Sequence, residues 1–409
     1  MSLVRELTER GFIHQSSAEL STIFDGTART IYLGIDPTAD SIHVGNLVPY
    51  MLLNHLMNAG HKVILLMGGG TALIGDPGGK SEERPFVEQS VVAEQCEKME
   101  AGVRRFVSGD VTFVNNYDWL SQLSMIEYLR DIGKHFTVNA MIKKDIVANR
   151  LEAENPISYT EFSYSLLQGY DYVHLHKEFG CDVQIGGSDQ WSNIIAGVDL
   201  IRRSTGNEVY ALTNPIITDK ATGKKFGKSE GNAIWLNADK TSPYELYQFW
   251  LNTSDESVVD YLKVFTFISL EEIADIERSH NEDKGARIAQ KRLADAVTAF
   301  VHGEASVRAA AEVSEVLFGG TLVSEVSDQA RQMIIDTAPG CNTQSGQLLV
   351  DVLIQADLAS SKREAREFIE NGAISIDGQK ITDVETVITN IPTQLLKRGK
   401  KQLCVLQVQ

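Results

Sequence analysis

Three short groups of residues have types and spacing suited to chemistry. His43-Val44-Gly45-Asn46 stands where a helix would begin after a buried strand. A helix N-terminus there offers free amides and a positive dipole end to a phosphate. His43 can donate to a phosphate oxygen, and Gly45 lets a flat ring lie against the backbone. Lys225-Phe226-Gly227-Lys228-Ser229 sits in TDKATGKKFGKSEGN, a loop rich in glycine and lysine whose cations either stay solvated or close over phosphates. Tyr164, Gln168 and Asp171 recur at i, i+4 and i+7, so on a helix they share one face. Three hydrogen-bonding groups on one stripe are odd for a core face. Phe162, Leu166 and Tyr170 leave no clean apolar stripe elsewhere, which sets a pocket against the plainer reading of an exposed polar face.

The elements that must position these groups read as an α/β protein. Ile31–Ile35 is a buried strand ending at Asp36-Pro37, a helix follows over about 45–59, and Gly60 is placed to stop it. A second buried strand, Lys62–Met67, breaks into Gly68-Gly69-Gly70. Strand, helix and strand with glycines at the strand ends is the start of a parallel sheet. Cys181–Ile185 repeats the pattern before Gly186-Gly187-Ser188-Asp189, and a helix can start at Gln190-Trp191. From about residue 240 the spacing turns helical, over Tyr244–Leu251, Val258–Phe265 and the long stretch Arg287–Leu317. Residues 319–345 have few bulky apolar side chains and read as a linker. The last 64 residues read as two helices, over 348–356 and 362–370, then strands around the hairpin signal Asp377-Gly378.

Composition narrows the classes. A chain of 409 residues is long enough for two or three domains, and its longest apolar run, Val63–Met67, is far too short to cross a bilayer. The opening MSLVRELTERGFIHQ has mixed charge and no apolar core, so neither a signal nor a transit peptide is expected. Cys96, Cys181, Cys341 and Cys404 are scattered with no C-x-x-C pair, which supports neither a disulfide framework nor a zinc knuckle and fits a reduced cytoplasm. The net charge of −17 looks wrong for an RNA-binding protein, yet residues 346–409 hold eight Lys/Arg against eight Asp/Glu and are neutral. Lys362-Arg363, Arg366 and the run 397–401 form basic clusters inside that tail.

Taken together, HVGN and KFGKS resemble the paired nucleotide-binding signatures of class I aminoacyl-tRNA synthetases. GIDPTAD (34–40), TEFSYSLLQGYDY (160–172) and GGSDQ (186–190) resemble segments of the tyrosyl-tRNA synthetases within that class, and the likeness covers essentially the whole chain. One departure is visible: the family usually ends the first signature with a second His, and Asn46 stands there. The resemblance implies a Rossmann-like catalytic domain over 1–235, a helical anticodon-binding domain over 236–320, a linker over 321–345 and an S-four-like RNA-binding domain over 346–409. By resemblance Asp171 and Tyr32 bind the phenol hydroxyl of tyrosine, while Asp76, Tyr164 and Gln168 hold its α-ammonium. Gln190 lies near the reacting carboxylate. Asp36, Gly45, Asn46, Gly187, Asp189 and Lys228 meet ATP, Asp189 through the ribose 2′-hydroxyl. Thr38, His43, Lys80, Arg84, Lys225, Lys228 and Ser229 handle the phosphates. Lys362, Arg363 and Arg366 line a helix face for RNA.

The same resemblance implies tyrosine, ATP and tRNA as partners and a homodimer with an interface near 125–160, and the sequence holds no large insertion that could house an editing site. No carboxylate cluster is built for a metal, so Mg²⁺ is expected to arrive with ATP and no tightly held metal is expected. Three rivals are weaker. A tryptophan enzyme has no use for a carboxylate at 171 and a phenol at 32. An RNA-binding relative without catalysis has no use for Lys225, Lys228, Asp76, Asp189 and Gln190. An RNA-modifying enzyme bearing the same tail needs a different catalytic core.

Overall fold

The computed structural model describes the chain apart from residues 1, 38–40, 77–86, 108, 219, 221–222, 224–225, 227, 230–231, 400–401 and 409. It divides into two compact units. One comprises Met1–Asn237 with Thr253–Leu293, the other Ala238–Asn252 with Ala294–Gln409.

The first unit is built on a six-stranded sheet. Its strands are β1 (Gln15–Ser16), β2 (Thr30–Ile35), β3 (Lys62–Met67), β4 (Val111–Asn115), β5 (Val183–Gly187) and β6 (Tyr210–Asn214), in the spatial order β1-β6-β5-β2-β3-β4. All pairings are parallel except the short antiparallel edge between β1 and β6. A central parallel strand is covered on both faces and therefore reads as an unbroken apolar run. In β3 only Lys62 is exposed. The chain runs outward through β2, β3 and β4, then resumes on the other side of β2 with β5 and β6. The sheet therefore reverses its winding between β2 and β5, the place where such sheets bind ligands beyond the strand ends.

Among the helices around this sheet are α1 (Leu3–Arg10), α2 (Leu47–Asn58), α3 (Tyr159–Phe179) and α4 (Trp191–Thr205). α3 begins with a capping box, in which Ser158 accepts from the Glu161 amide and Glu161 reaches back to the Ser158 amide. It ends at Gly180, whose φ of 64° closes the helix in the left-handed region. Its apolar residues Leu166, Tyr172, Val173 and Leu175 pack into a core with Tyr32, Ile64 and Leu66 of the sheet. That packing turns the polar stripe of α3 toward the strand ends.

In the second unit a five-stranded sheet carries its own apolar core. β7 (Gly340–Thr343), β8 (Ile374–Ile376), β9 (Gln379–Ile381), β10 (Thr393–Arg398) and β11 (Gln402–Val408) lie in the order β9-β8-β10-β11-β7. The Asp377-Gly378 hairpin is present: both residues have positive φ (47° and 80°), joining Ile376 to Gln379 by a two-residue turn. Two expectations are corrected and one, the helical stretch 287–317, is borne out in two pieces. The segment 321–345 is not a bare linker, because it holds the helix Asp328–Thr337 and β7, which pairs in parallel with β11 through Cys341 and Leu406. The long helical stretch breaks at Gly303 (φ 84°) into Ile288–His302 and Glu304–Ser314. The helices of 236–320 are also shared between the two units rather than forming one body. Among the described residues no helix is long and apolar enough to cross a membrane.

Candidate active site

A cavity of about 500 Å³ opens in the first unit where the sheet changes direction. Tyr32 comes from within β2 and Asp36 from just beyond its end, Gly45 and Asn46 from the turn that leads into α2, and Gly187, Asp189 and Gln190 from the last residue of β5 and the turn after it. Tyr164, Gln168 and Asp171 all line it, so the stripe read from the sequence does face one pocket.

Around Asp171, Tyr164 and Gln190 the site is a chain of hydrogen bonds. Asp171 is 1% exposed; Trp119 Nε1 donates to its Oδ1 (2.8 Å) and Asn116 Nδ2 to its Oδ2 (2.9 Å). Burial pushes the Asp171 carboxyl up to about 7, against the pull of these two donors. Tyr32 Oη is buried nearby with no partner among the described residues, and burial raises its phenol well above the ordinary range. A neutral phenol hydroxyl beside a carboxylate whose two oxygens each hold a fixed donor suits a ligand that both donates and accepts. Next along, Tyr164 Oη donates to Asp36 Oδ2 (2.8 Å) and Thr71 Oγ1 to Asp36 Oδ1 (2.8 Å). Gln190 Nε2 donates to Asp76 Oδ2 (2.7 Å), which ties the turn after β5 to the loop after β3. Asp36, assigned to ATP by resemblance, thus sits inside the network of Tyr164.

The nucleotide signature is shaped by its neighbours. His43 Nδ1 accepts from the Gly45 amide (3.0 Å), which leaves the ring proton on Nε2. Asn46 Oδ1 accepts from the His43 amide at 3.4 Å, the second half of a capping box, and Asn46 also lines the cavity. Asn at this position therefore stabilises the turn where a second imidazole was expected. Gly45 cannot carry a side chain: a Cβ would meet the His43 ring at 2.8 Å and the Phe226 carbonyl at 3.0 Å. Phe226 itself is buried against Tyr261 and Phe265 of the helix Val258–Phe265, with ring centroids 4.7 and 5.3 Å away. The aromatic in the lysine loop is thus its anchor, and it brings the loop's backbone to the start of α2.

Thr38, Lys80, Arg84 and Lys225 lie outside the described residues. Of Lys228 and Ser229 only the backbone is described, pairing antiparallel with Ala233 and Asn232. In the second unit Lys362, Arg363 and Arg366 are exposed on the helix Lys362–Glu370, which buries Ala365 and Ile369 on its other side. Lys362 pairs with Asp351 at 2.6 Å.

Sequence reasoning missed Asn116, Trp119, Thr71 and His174. Asn116 directly follows β4, so its place at a strand's carboxyl end was a usable signal. Trp119 had none, whereas His174, which stacks on the Trp119 indole (4.1 Å, 18°) and braces it, stands three residues after Asp171 and continues the same helical stripe. Gly68 has a specific role too, since a Cβ there would collide with Asp36 Oδ1 and Thr71 Oγ1. Gly68→Ala should displace Asp36, release Tyr164 and cut whatever activity the site supports by about tenfold or more, as small misplacements in a site do. Unchanged activity would show that the Asp36 position is not needed.

Residues 26–319 match the family described as tRNA synthetases class I (W and Y). The chain belongs to that family. Residues 322–406 match the tyrosine–tRNA ligase SYY-like C-terminal domain, which takes in most of the expected linker. A tyrosine–tRNA ligase of Aliivibrio fischeri (strain MJ11) is 45% identical over 98% of this chain and 97% of its own length. One from Streptococcus pyogenes serotype M3 is 45% identical over 99% of this chain and its whole length. Among solved structures, a C-terminally truncated mitochondrial tyrosyl-tRNA synthetase of Aspergillus nidulans superposes with a TM-score of 0.71 at 33% identity. That match covers 78% of this chain and 94% of the other.

Proposed function

We propose that this chain catalyses the tyrosine–tRNA ligase reaction. The carboxylate of tyrosine attacks the α-phosphorus of ATP in line, pyrophosphate leaves, and tyrosyl-adenylate forms. The terminal adenosine of tRNA then attacks the activated carbonyl and AMP leaves. Such chemistry is positioning plus electrostatics and needs no nucleophilic side chain. The observation that carries the reading is that Asp171 and Tyr32, both buried, line the same cavity. A tryptophan side chain has no hydroxyl to satisfy them.

The roles then follow the site's two ends. Asp171 and Tyr32 read the phenol; Asp76, Tyr164 and Gln168 hold the ammonium, and Gln190 orients the carboxylate. His43, Gly45, Asn46, Gly187 and Asp189 take the nucleotide, with Thr38, Lys80, Arg84, Lys225, Lys228 and Ser229 on its phosphates and Mg²⁺ arriving with ATP. Lys362, Arg363 and Arg366 take the tRNA backbone, and the enzyme works in the cytoplasm. Exposed Met125, Ile126, Leu129 and Tyr159 give a homodimer interface its apolar surface. Charging of bulk tRNA with labelled tyrosine tests the whole reaction, and failure to charge any tRNA with tyrosine overturns it.

A pH dependence belongs to this reading. The substrate hydroxyl donates to the ionised form of Asp171, whose carboxyl lies at about 7. As pH falls from about 8 to about 6 the ionised fraction drops, and the KM for tyrosine should rise about tenfold. The KM for ATP should not follow it. A tyrosine KM flat across that range would contradict the role given to Asp171.

A further inference from the structure

Asn214 is a buried amide that the family signatures and the reaction steps leave without a task. It ends β6, is 5% exposed and lines the cavity. Its Nδ2 donates to the Pro215 carbonyl (3.2 Å), which fixes the orientation of the amide. The atom left over is Oδ1, buried and without a partner among the described residues. An acceptor left unpaired in a protein interior costs about 1–3 kcal/mol, so this oxygen favours a ligand that brings a donor. Nothing in strand pairing asks for Asn here, and Asn is disfavoured in strands.

Its place in the sheet says which part of a ligand it meets. The amino-acid network is built from residues after β3 and β4, namely Thr71, Asn116 and Trp119, with α3. β5 and β6 lie on the other side of the switch point, and Gly187 pairs in register with Asn214. Asn214 therefore flanks the turn of Gly187 and Asp189, where the ribose is assigned, on the side away from tyrosine. Around it the cavity wall is apolar: Pro215, Ile216, Ile217 and Phe226 line it. Apolar walls with one orphaned acceptor suit a flat heterocycle carrying an exocyclic amine.

We infer that Asn214 is a specificity residue for the base of the nucleotide: its Oδ1 accepts from the amine of adenine. Guanine and hypoxanthine carry a carbonyl oxygen at that ring position, and two acceptors would face each other. The inference rests on the assignment of the nucleotide to the β5/β6 end of the cavity.

The test is tyrosine-dependent pyrophosphate exchange with three nucleotides: ATP, inosine triphosphate and purine riboside triphosphate, which has neither amine nor carbonyl. With the unaltered protein, kcat/KM should fall about 10–100-fold on replacing ATP by purine riboside triphosphate, and further with inosine triphosphate. Asn214→Val should lose activity on ATP only, narrowing the ratio between ATP and purine riboside triphosphate to within about threefold. Its KM for tyrosine should be unchanged. Equal use of the two nucleotides by the unaltered protein overturns the inference, and that arm needs no variant to fold. A ratio undiminished in Asn214→Val overturns it as well. Asp189→Ala separates the two levels. If Asp189→Ala leaves the KM for ATP unchanged, the nucleotide assignment itself fails. If it raises that KM while Asn214→Val keeps the base preference, the inference alone fails.

Discussion

Asp171→Ala should lower kcat/KM for tyrosine activation by about 10²–10³-fold while leaving the KM for ATP within about threefold. The phenol hydroxyl loses a charged acceptor, worth about 1.5–3 kcal/mol, and only Tyr32 Oη is left to meet it. The protein should not unfold as a consequence. Because the folded carboxyl is raised to about 7, ionising it in the fold costs stability, and the cost grows as pH rises from the unfolded value toward 7. At pH 8 that penalty is about 4 kcal/mol, and removing the carboxylate recovers it. Against it stand two N–H groups left without an acceptor, Trp119 Nε1 and the one N–H of Asn116 Nδ2 not held by Thr71 Oγ1, at about 1–3 kcal/mol each. The two effects nearly cancel, so thermal midpoints of variant and parent should agree within a few degrees at pH 8. A fall in activity accompanied by a large fall in midpoint would contradict this balance.

Arg150→Ala should destabilise the first unit by about 3–5 kcal/mol. Arg150 Nη1 donates to Glu161 Oε1 at 2.9 Å, both side chains are more than nine-tenths buried, and Arg150 also donates to the Pro156 carbonyl. Removing the cation leaves a carboxylate out of water without its partner, the costly way to break such a pair. Glu161 is also the third residue of α3, one turn before Tyr164, and its carboxylate caps the helix that carries the whole polar stripe. Replacing both partners by apolar residues of similar volume, Arg150→Met with Glu161→Leu, should restore most of the loss. Urea unfolding of the three proteins measures this. A double variant as unstable as Arg150→Ala would mean that the pair matters for its capping geometry rather than for its charge.

How far the site could be read in advance depended on how local each signal was. β3 was legible to the residue because a strand buried on both faces needs only its own apolar run to be recognised. The stripe of Tyr164, Gln168 and Asp171 was legible because helical spacing alone puts them on one side. Asn116 and Trp119 reach Asp171 across 55 and 52 residues, through a strand that had not been singled out, and no local pattern reports such a meeting. The supposed linker failed for a related reason. Its helix buries only Ala330, Met333 and Ile334, and β7 finds its partner at the far end of the same unit. Asn46 was expected to meet ATP in place of the usual His; its hydrogen bond to the His43 backbone emerges only once the turn is folded.

The central claim is that a buried carboxylate and a buried phenol select tyrosine, and amino-acid-dependent ATP–pyrophosphate exchange tests it most directly. The account predicts exchange with tyrosine and none detectable with tryptophan. With phenylalanine the loss should be large, an effect for which tyrosyl enzymes are themselves the standard example, about 10⁵-fold and reached without editing. Exchange with phenylalanine or tryptophan at a rate comparable to tyrosine, or with no amino acid at all, would contradict it.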